Sequence, residues 1–374
     1  MDVIVVGGGI VGTSAAFHLA RRGVSTALVD SSHTGGATGA GMGVVFPWPL
    51  PWEEPPVQDF KAAAAAHLPS LMAELDEDGQ ATGYEVCGGM SVDREGDDAG
   101  HELMETLSRL PGFEGMGRVE RLGQGRPREL FPLVPEEYGG VYIEEMARLN
   151  GSMARAALLE AALERGLRRF PGDARLLWDG RRVRGVRVGG QDMEASSVIV
   201  AAGVWSAQVL AGAGVALPVL PVRGQATHFA LPGTDTRPWP VVRFGERDRY
   251  AVAFGPNRVV FGATEEPEAG FDCRVTASGQ ARNLTAALEA MPGLGEATVA
   301  GASAGLRPGT GDGRQLLGEV ESAPGAVVAT GLGSQGLTLG AFQGLVASRL
   351  ALGEDPGVDL SAFRPDRDTR AGGG

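Results

Sequence analysis

The chain opens on a pattern that few folds can accommodate. Val3-Ile4-Val5-Val6 is a short, β-branched, wholly apolar run, as a buried strand requires. Gly7-Gly8-Gly9-Ile10-Val11-Gly12 follows at once. Residues 13–22 then carry helical spacing, with Val11, Ala15 and Leu19 on one face and Gly23 as the stop. Residues 25–29 read as a second strand ending in Asp30, 21 residues beyond Gly9. Each glycine has its own task in such a unit. Gly7 permits the tight turn, Gly9 lets backbone approach a pyrophosphate, and Gly12 lets the helix pack against the strand. The helix N-terminus offers free N–H groups and about half a positive charge to phosphates. Asp30 is positioned to accept hydrogen bonds from a ribose diol, and its charge disfavours a 2′-phosphate, which argues against NADP. The unit therefore predicts a parallel α/β dinucleotide site and leaves FAD and NAD both open.

Composition narrows the rest. A length of 374 residues predicts two or three folding units. Glycine accounts for 59 residues, about twice the usual share, but with no Gly-X-Y period, so a collagen-like chain is excluded. The net charge is −13 and the arginines are scattered, so no basic face for nucleic acid is expected. Only Cys87 and Cys273 are present, with no Cys-x-x-Cys. Together with an N-terminus lacking a basic, cleavable leader, this predicts a reducing, cytoplasmic location. The charge-free runs 195–222 and 323–348 are long enough to span a bilayer. Both are interrupted by glycines, and they read as strand, turn and helix of a buried α/β core rather than as membrane spans. Lys61, the only lysine, falls in an alanine-rich helical stretch with no evident pocket, which removes most routes to Schiff-base chemistry. His18, His33, His67, His101 and His228 show no paired ligand spacing, so no metal site is expected.

Further along, the small residues Gly35 to Gly43, with Thr38 among them, suggest a loop pressed against a large ligand. Residues 47–52 form an irregular, aromatic, proline-rich loop. Helices are expected over 59–75, 103–110, 152–168 and 282–291, the third with Ala156, Leu159, Leu163 and Leu167 on one face. Residues 84–93 and 299–306 read as strand, 129–143 as loop then strand, and 217–260 as several strands. Residues 173–190 read as a hairpin around Asp179-Gly180. A second Gly-x-Gly-x-x-Gly, from Gly331 to Gly336, joins a strand at 327–329 to a helix at 337–350. Glu354 lies at the spacing of a ribose-binding acid, but no strand intervenes, so this is a helix N-terminus suited to another electron-rich group.

The order of these segments resembles the glycine oxidase and D-amino-acid oxidase family of FAD-dependent oxidoreductases, from Val3 to about Phe363. Four stretches carry the likeness: Val200-Ala201-Ala202-Gly203-Val204-Trp205-Ser206, Pro221-Val222-Arg223-Gly224-Gln225, the strands from Tyr250 through Phe261-Gly262-Ala263-Thr264-Glu265-Glu266, and Gly305-Leu306-Arg307-Pro308-Gly309-Thr310-Gly311-Asp312-Gly313. The resemblance implies an α/β chain (α+β overall): a Rossmann-like FAD-binding domain with a second, mostly antiparallel substrate domain. Residues 1–82, 148–215 and 302–366 would form the first, 83–147 and 216–301 the second, and 367–374 a disordered tail.

It further implies that Gly7, Gly9, Ile10, Val11, Gly12, Asp30, Ser31 and Thr38 hold the ADP half of FAD. Gly41 and Met42 would lie against the isoalloxazine ring, with Gly203 and Trp205 in a flavin-adjacent turn. Gly331, Gly333, Ser334, Gln335, Gly336 and Leu337 would present amides to the ring's pyrimidine end. Arg307, also beside the cofactor, would clamp the substrate carboxylate, and Tyr250 would hydrogen-bond it. FAD is expected to be non-covalent, since no cysteine stands near Arg307 in the sequence. The implied reaction is oxidation of a C–N bond in a small amino acid or amine, with hydride passing to flavin N5, imine hydrolysis, and O2 giving peroxide. The alternative is a dehydrogenase serving a quinone or protein acceptor. The chain departs from the family pattern at Leu332, where many members have histidine, near Ser334, where glycine oxidases carry a basic residue, and at Glu265, where they carry methionine. Glu265 and Ser334 are therefore expected in the substrate pocket, with Glu265 favouring a polar or cationic side group.

Overall fold

A computed structural model describes the chain except residues 51, 95–101, 103, 107, 108, 110–113, 246–248 and 371–374. The helix expected over 103–110 lies partly outside the described residues.

Two large sheets organise the fold. In the first, the strands run in the order Leu316–Glu319, Ala326–Thr330, Ser197–Val200, Val3–Val6, Thr26–Asp30 and Arg168–Pro171. All neighbours are parallel except the first pair. Alternation explains why its central strands are apolar throughout. Val3, Val5 and Ile199 face a core built with Phe17, Phe60, Leu158 and Phe342, whereas Ile4, Val6, Val198 and Val200 face a second core with Leu176, Val186 and Leu210. Helices Ile10–Ala20, Pro55–Glu77, Gly151–Glu164 and Gly336–Ala351 supply the first core. A three-stranded antiparallel sheet, Ala174–Trp178, Val183–Val188 and Gln191–Glu194, contributes to the second. The charge-free runs resolve as strand, turn and helix, and among the described residues no helix is long and apolar enough to cross a membrane.

The second sheet has eight strands, in the order Thr298–Gly309, Leu220–Ala230, Arg258–Gly262, Arg249–Phe254, Val241–Phe244, Gly89–Asp93, Gly139–Ile143 and Val119–Leu122. Only the pair Val241–Phe244 with Gly89–Asp93 is parallel. Helix Ala277–Ala290 packs on one face over Phe229, Phe261 and Met90. This is the expected α/β architecture, a Rossmann-like sheet joined to a mostly antiparallel one.

Several boundaries differ from the sequence reading. The first helix starts at Ile10, not 13, because Thr13 N–H already donates to Gly9 O at 2.9 Å. The 59–75 helix extends to Pro55–Glu77, with prolines at its start where their missing N–H is harmless. Residues 84–93 split into Tyr84–Val86 and Gly89–Asp93, and Glu129-Leu130 end a short helix, Arg126–Leu130. The helix expected over 152–168 stops at Glu164. Its apolar stripe is Ala154, Ala157, Leu158, Ala161 and Ala162 together with Leu159, while Ala156 is exposed and Leu167 is buried beyond the helix end. The stripe moves because this helix packs against both Ile10–Ala20 and Pro55–Glu77. Of the tail expected to be disordered, residues 367–370 are held in place, Arg367 Nε donating to Asp312 Oδ2 at 2.8 Å and Thr369 being buried, while 371–374 lie outside the described residues.

His18 and His67 meet between helices Ile10–Ala20 and Pro55–Glu77, ring centroids 5.3 Å apart, and neither Nε2 finds a hydrogen-bond partner among the described residues. Burial, reinforced by nearby Arg21 and Arg349, holds His18 well below its ordinary value and brings His67 down to about 4. The unfolded chain therefore binds more protons than the folded one between about pH 6.5 and 4. Stability is expected to be complete above pH 6.5 and to fall as pH drops through this window, by at most about 1.4 kcal/mol per pH unit for each ring. Thermal melts across pH 4–8 would test this. Replacing both rings (H18F/H67L) should flatten the slope, and a persisting slope would assign it to other groups.

Candidate active site

A cavity of about 1380 Å³ lies at the carboxyl ends of the parallel strands and reaches the eight-stranded sheet. Crevices at this end of an open α/β sheet are its usual ligand sites. Every sequence-predicted site residue lines the cavity except Gly12. Gly12 lies beneath the wall, where a Cβ would strike the carbonyl oxygen of Gly7. That clash fits its expected task in helix–strand packing.

At one end, Gly7 adopts a φ of +108°, open to glycine but strained for other residues. Asp30 Oδ1 accepts from Gly8 N–H at 3.1 Å, and Oδ2 accepts from Ser32 Oγ at 3.2 Å, which fixes the carboxylate beside Ser31. A Cβ on Gly8 would stand 2.6 Å from Asp30 Oδ2, so the middle glycine of the triplet is needed too. Thr38 Oγ1 accepts from Ile10 N–H at 3.0 Å and ties the small-residue loop, partly helical as Ala37–Ala40, to the helix start. Helix geometry leaves the amides of Val11 and Gly12 without an intrahelical acceptor.

Sequence reasoning missed two features here. Arg155, on the wall, donates to Gly8 O at 3.3 Å across 147 residues. His33 stacks on Trp205 with centroids 4.9 Å apart, and its Nε2 lies 2.8 Å from Asp173 Oδ1. All three residues line the cavity, so Trp205 stands at its Asp30 end. Trp205→Ala and His33→Ala are each expected to weaken FAD binding roughly 2- to 10-fold, as an aromatic pair is worth about 0.5–1.5 kcal/mol. Flavin-fluorescence titration of apoprotein measures this, and unchanged affinity would put the pair out of the cofactor's reach.

Toward the middle, Gly41 sits where a Cβ would come within 2.8 Å of Leu337 Cδ1, with Met42 beside it. Gly331 and Gly333 hold φ values of +82° and +52°, turning the chain so that the 3₁₀ turn Gly333–Gln335 leads into helix Gly336–Ala351 at the wall. Gly203 O accepts from Thr330 Oγ1 at 3.0 Å. Leu332 is buried among apolar neighbours.

At the far end, half-buried Arg307 donates from Nη1 to Thr264 O at 3.1 Å. Its guanidinium lies over Gly224, where a Cβ would stand 2.7 Å from Cζ. Tyr250 faces the same cavity from strand Arg249–Phe254. The adjacent acids Glu265 and Glu266 have opposite fates. Glu265 is exposed on the cavity wall, as is Ser334, and it has no polar partner among the described residues. Glu266 is 3% exposed and receives Arg223 Nε at 2.9 Å, Gln225 Nε2 at 2.9 Å and Arg282 Nη2 at 2.9 Å. Burial pushes the Glu266 carboxyl up, but bonds from Thr264, Arg223 and Gln225 outweigh it and hold the group below its usual value.

Lys61 corrects an expectation, for it does line the cavity. Its buried ammonium is bound by Glu53, because the proline-rich loop folds back over the start of its helix. Cys273, far from Arg307 in sequence, packs against Gly35 next to Leu306. Neither it nor Cys87 lines the cavity.

This elongated cavity, side-chain-free where backbone must approach a ligand, walled by a helix N-terminus and Asp30, fits FAD. Gly7, Gly9, Ile10, Val11, Asp30, Ser31 and Thr38 would hold its ADP half, and Gly41, Met42 and Gly331 to Leu337 its ring. The comparisons agree. The profile of the family described as FAD dependent oxidoreductase (DAO) matches residues 2–350. Glycine oxidase of Pseudomonas aeruginosa is 30% identical over 97% of this chain and 98% of its own. The crystal structure of iminodiacetate oxidase from Chelativorans sp. BNC1 superposes with a TM-score of 0.91 at 36% identity, covering 97% of this chain and 99% of that one. Glycine oxidase from Geobacillus kaustophilus gives 0.85 at 26% identity, covering 98% of each. Cavity and comparisons lead to one conclusion: the chain belongs to the DAO family of FAD-dependent oxidoreductases, flavoenzymes that act on amino acids and amines.

Proposed function

We propose that the protein oxidises the C–N bond of a small amino acid or amine carrying a carboxylate, giving an imine that hydrolyses in water, with O2 as the final acceptor and peroxide as its product. FAD supplies the electron chemistry by taking hydride from the substrate carbon at N5. The protein supplies orientation. Arg307 holds the carboxylate through two parallel N–H···O bonds, and its own bond to Thr264 O fixes the fork. Tyr250 donates its hydroxyl to the same carboxylate, leaving the α-carbon presented toward the ring. The amine reacts in its neutral form, and no protein base is required; Lys61 is occupied by Glu53. The helix beginning at Gly336 would favour negative charge on a flavin ring held at its N-terminus. The flavin is non-covalent, since neither cysteine lines the cavity.

The reading is carried by the meeting of Arg307 and Tyr250 with the dinucleotide cradle in one cavity. The similarity to glycine and iminodiacetate oxidases supports a small, acid-bearing amine. An anaerobic flavin-reduction screen tests it, using glycine, sarcosine, D- and L-amino acids and simple amines. Carboxylate-bearing amines should bleach the flavin, simple amines should not, and admitting air should yield peroxide. Bleaching by none of them would overturn the reading, and bleaching without peroxide in air would replace O2 with a quinone or protein acceptor.

A further inference from the structure

Resting on that reading, we propose that the substrate carries a second acid group and that Arg249 binds it. Arg249 opens strand Arg249–Phe254, directly before Tyr250 and opposite Phe244, and lines the same cavity as Arg307. It is half-buried, and its guanidinium has neither an ion pair nor a hydrogen bond among the described residues. Acids outnumber basic residues 46 to 33 in this chain, and several arginines of this region are matched: Arg223 by Glu266 and Asp272, Arg237 by Asp235, Arg282 by Glu266. Arg258 and Arg175, which have no ion pair among the described residues, are exposed to solvent, whereas Arg249 is half-buried. A partly desolvated guanidinium without an anion is unfavourable, and a ligand anion relieves it.

Glu265 is the other unmatched charge on this wall. Among the described residues, the substrate end therefore presents two guanidinium groups and one carboxylate. The complement is two carboxylates and one ammonium, the charge pattern of an amino- or iminodicarboxylic acid. A monocarboxylic amino acid satisfies Arg307 and leaves Arg249 without an anion. Arg307 would orient the reacting end, and Arg249 would select for the distal acid.

Sarcosine and iminodiacetate make a matched pair, both secondary amines differing by one carboxylate. With holoenzyme, iminodiacetate should reduce the flavin at a concentration about 30-fold or more below that needed with sarcosine, the lower end of the range for a desolvated charge partner. In Arg249→Gln this ratio should collapse toward one, whereas Arg307→Gln should weaken both substrates together. Oxydiacetate, which has no amine to oxidise, provides a binding readout independent of turnover. It should perturb the flavin spectrum of wild type with an affinity that falls by a similar factor in Arg249→Gln and is partly retained in Arg249→Lys. If sarcosine and glycine bleach the flavin with no preference for the diacid, or if Arg249→Gln preserves the ratio, the inference fails while the proposed function stands. If no amine bleaches the flavin, the proposed function fails, and oxydiacetate binding alone then decides whether Arg249 is an acid site.

Discussion

Replacing Arg307 with glutamine is expected to lower kcat/KM for amine oxidation by roughly 30- to several thousand-fold, because truncating a desolvated charge partner costs about 2–5 kcal/mol. The substrate carboxylate would keep its charge and lose its fork. Arg307→Lys should recover little, since an ammonium is a point charge and cannot present two parallel donors. The structure makes a companion change informative. Gly224 is the floor on which the guanidinium lies, and the added methyl of Gly224→Ala would stand 2.7 Å from Cζ. Displacing the fork without removing it should raise KM more modestly. Stopped-flow flavin reduction, with FAD content measured for each variant, separates loss of substrate from loss of cofactor. A wild-type-like rate in Arg307→Gln would remove the carboxylate anchor from the mechanism.

The second large effect is on stability. Glu266→Ala is expected to destabilise the fold by up to about 3–5 kcal/mol, because it leaves Arg223, itself 8% exposed, with only the partly exposed Asp272 as counter-charge. It also takes an acceptor from Gln225 and Arg282. Replacing both partners with apolar residues (R223M/E266L) should cost much less than either single change, since breaking a buried pair is worse than omitting it. Urea titration of wild type, R223M, E266L and the double variant tests this, and additive single effects would contradict it. The network also bears on the site. Gln225 N–H donates to Thr264 Oγ1 at 3.0 Å, and Thr264 O receives Arg307. Loosening Glu266 should therefore raise KM as well as lower the melting temperature.

The glycine triplet, the first helix and Asp30 were legible from residues 1–30 because every contact among them is local or between adjacent strands. The same holds for the strand-to-helix passages at 197–210 and 326–351, where apolar runs and glycine punctuation leave one interpretation. Arg307 was reached by its motif, but its distinction from Arg223 was not. Both lie on neighbouring strands of one sheet, and only the pairing Gly224 with Gly305 determines that one guanidinium enters the cavity while the other is tied to Glu266. Glu265 was expected in the pocket, and its neighbour Glu266 carried no expectation of its own. Past the strand end at Gly262, an isolated bridge to Arg223 turns Glu266 inward while Glu265 stays on the cavity wall.

Local periodicity thus determined the parallel unit and its dinucleotide cradle, because turn geometry and helix capping act within a few residues and demand particular side chains; FAD and the class of chemistry came from the resemblance of whole motifs to a family. Only the tertiary structure decided that Lys61 borders the cavity, that Arg155 reaches back to Gly8, that His33, Asp173 and Trp205 converge, and that Arg249 stands without an acid among the described residues. These contacts join segments far apart along the chain, and their geometry depends on how the elements come together in three dimensions, which no local pattern encodes.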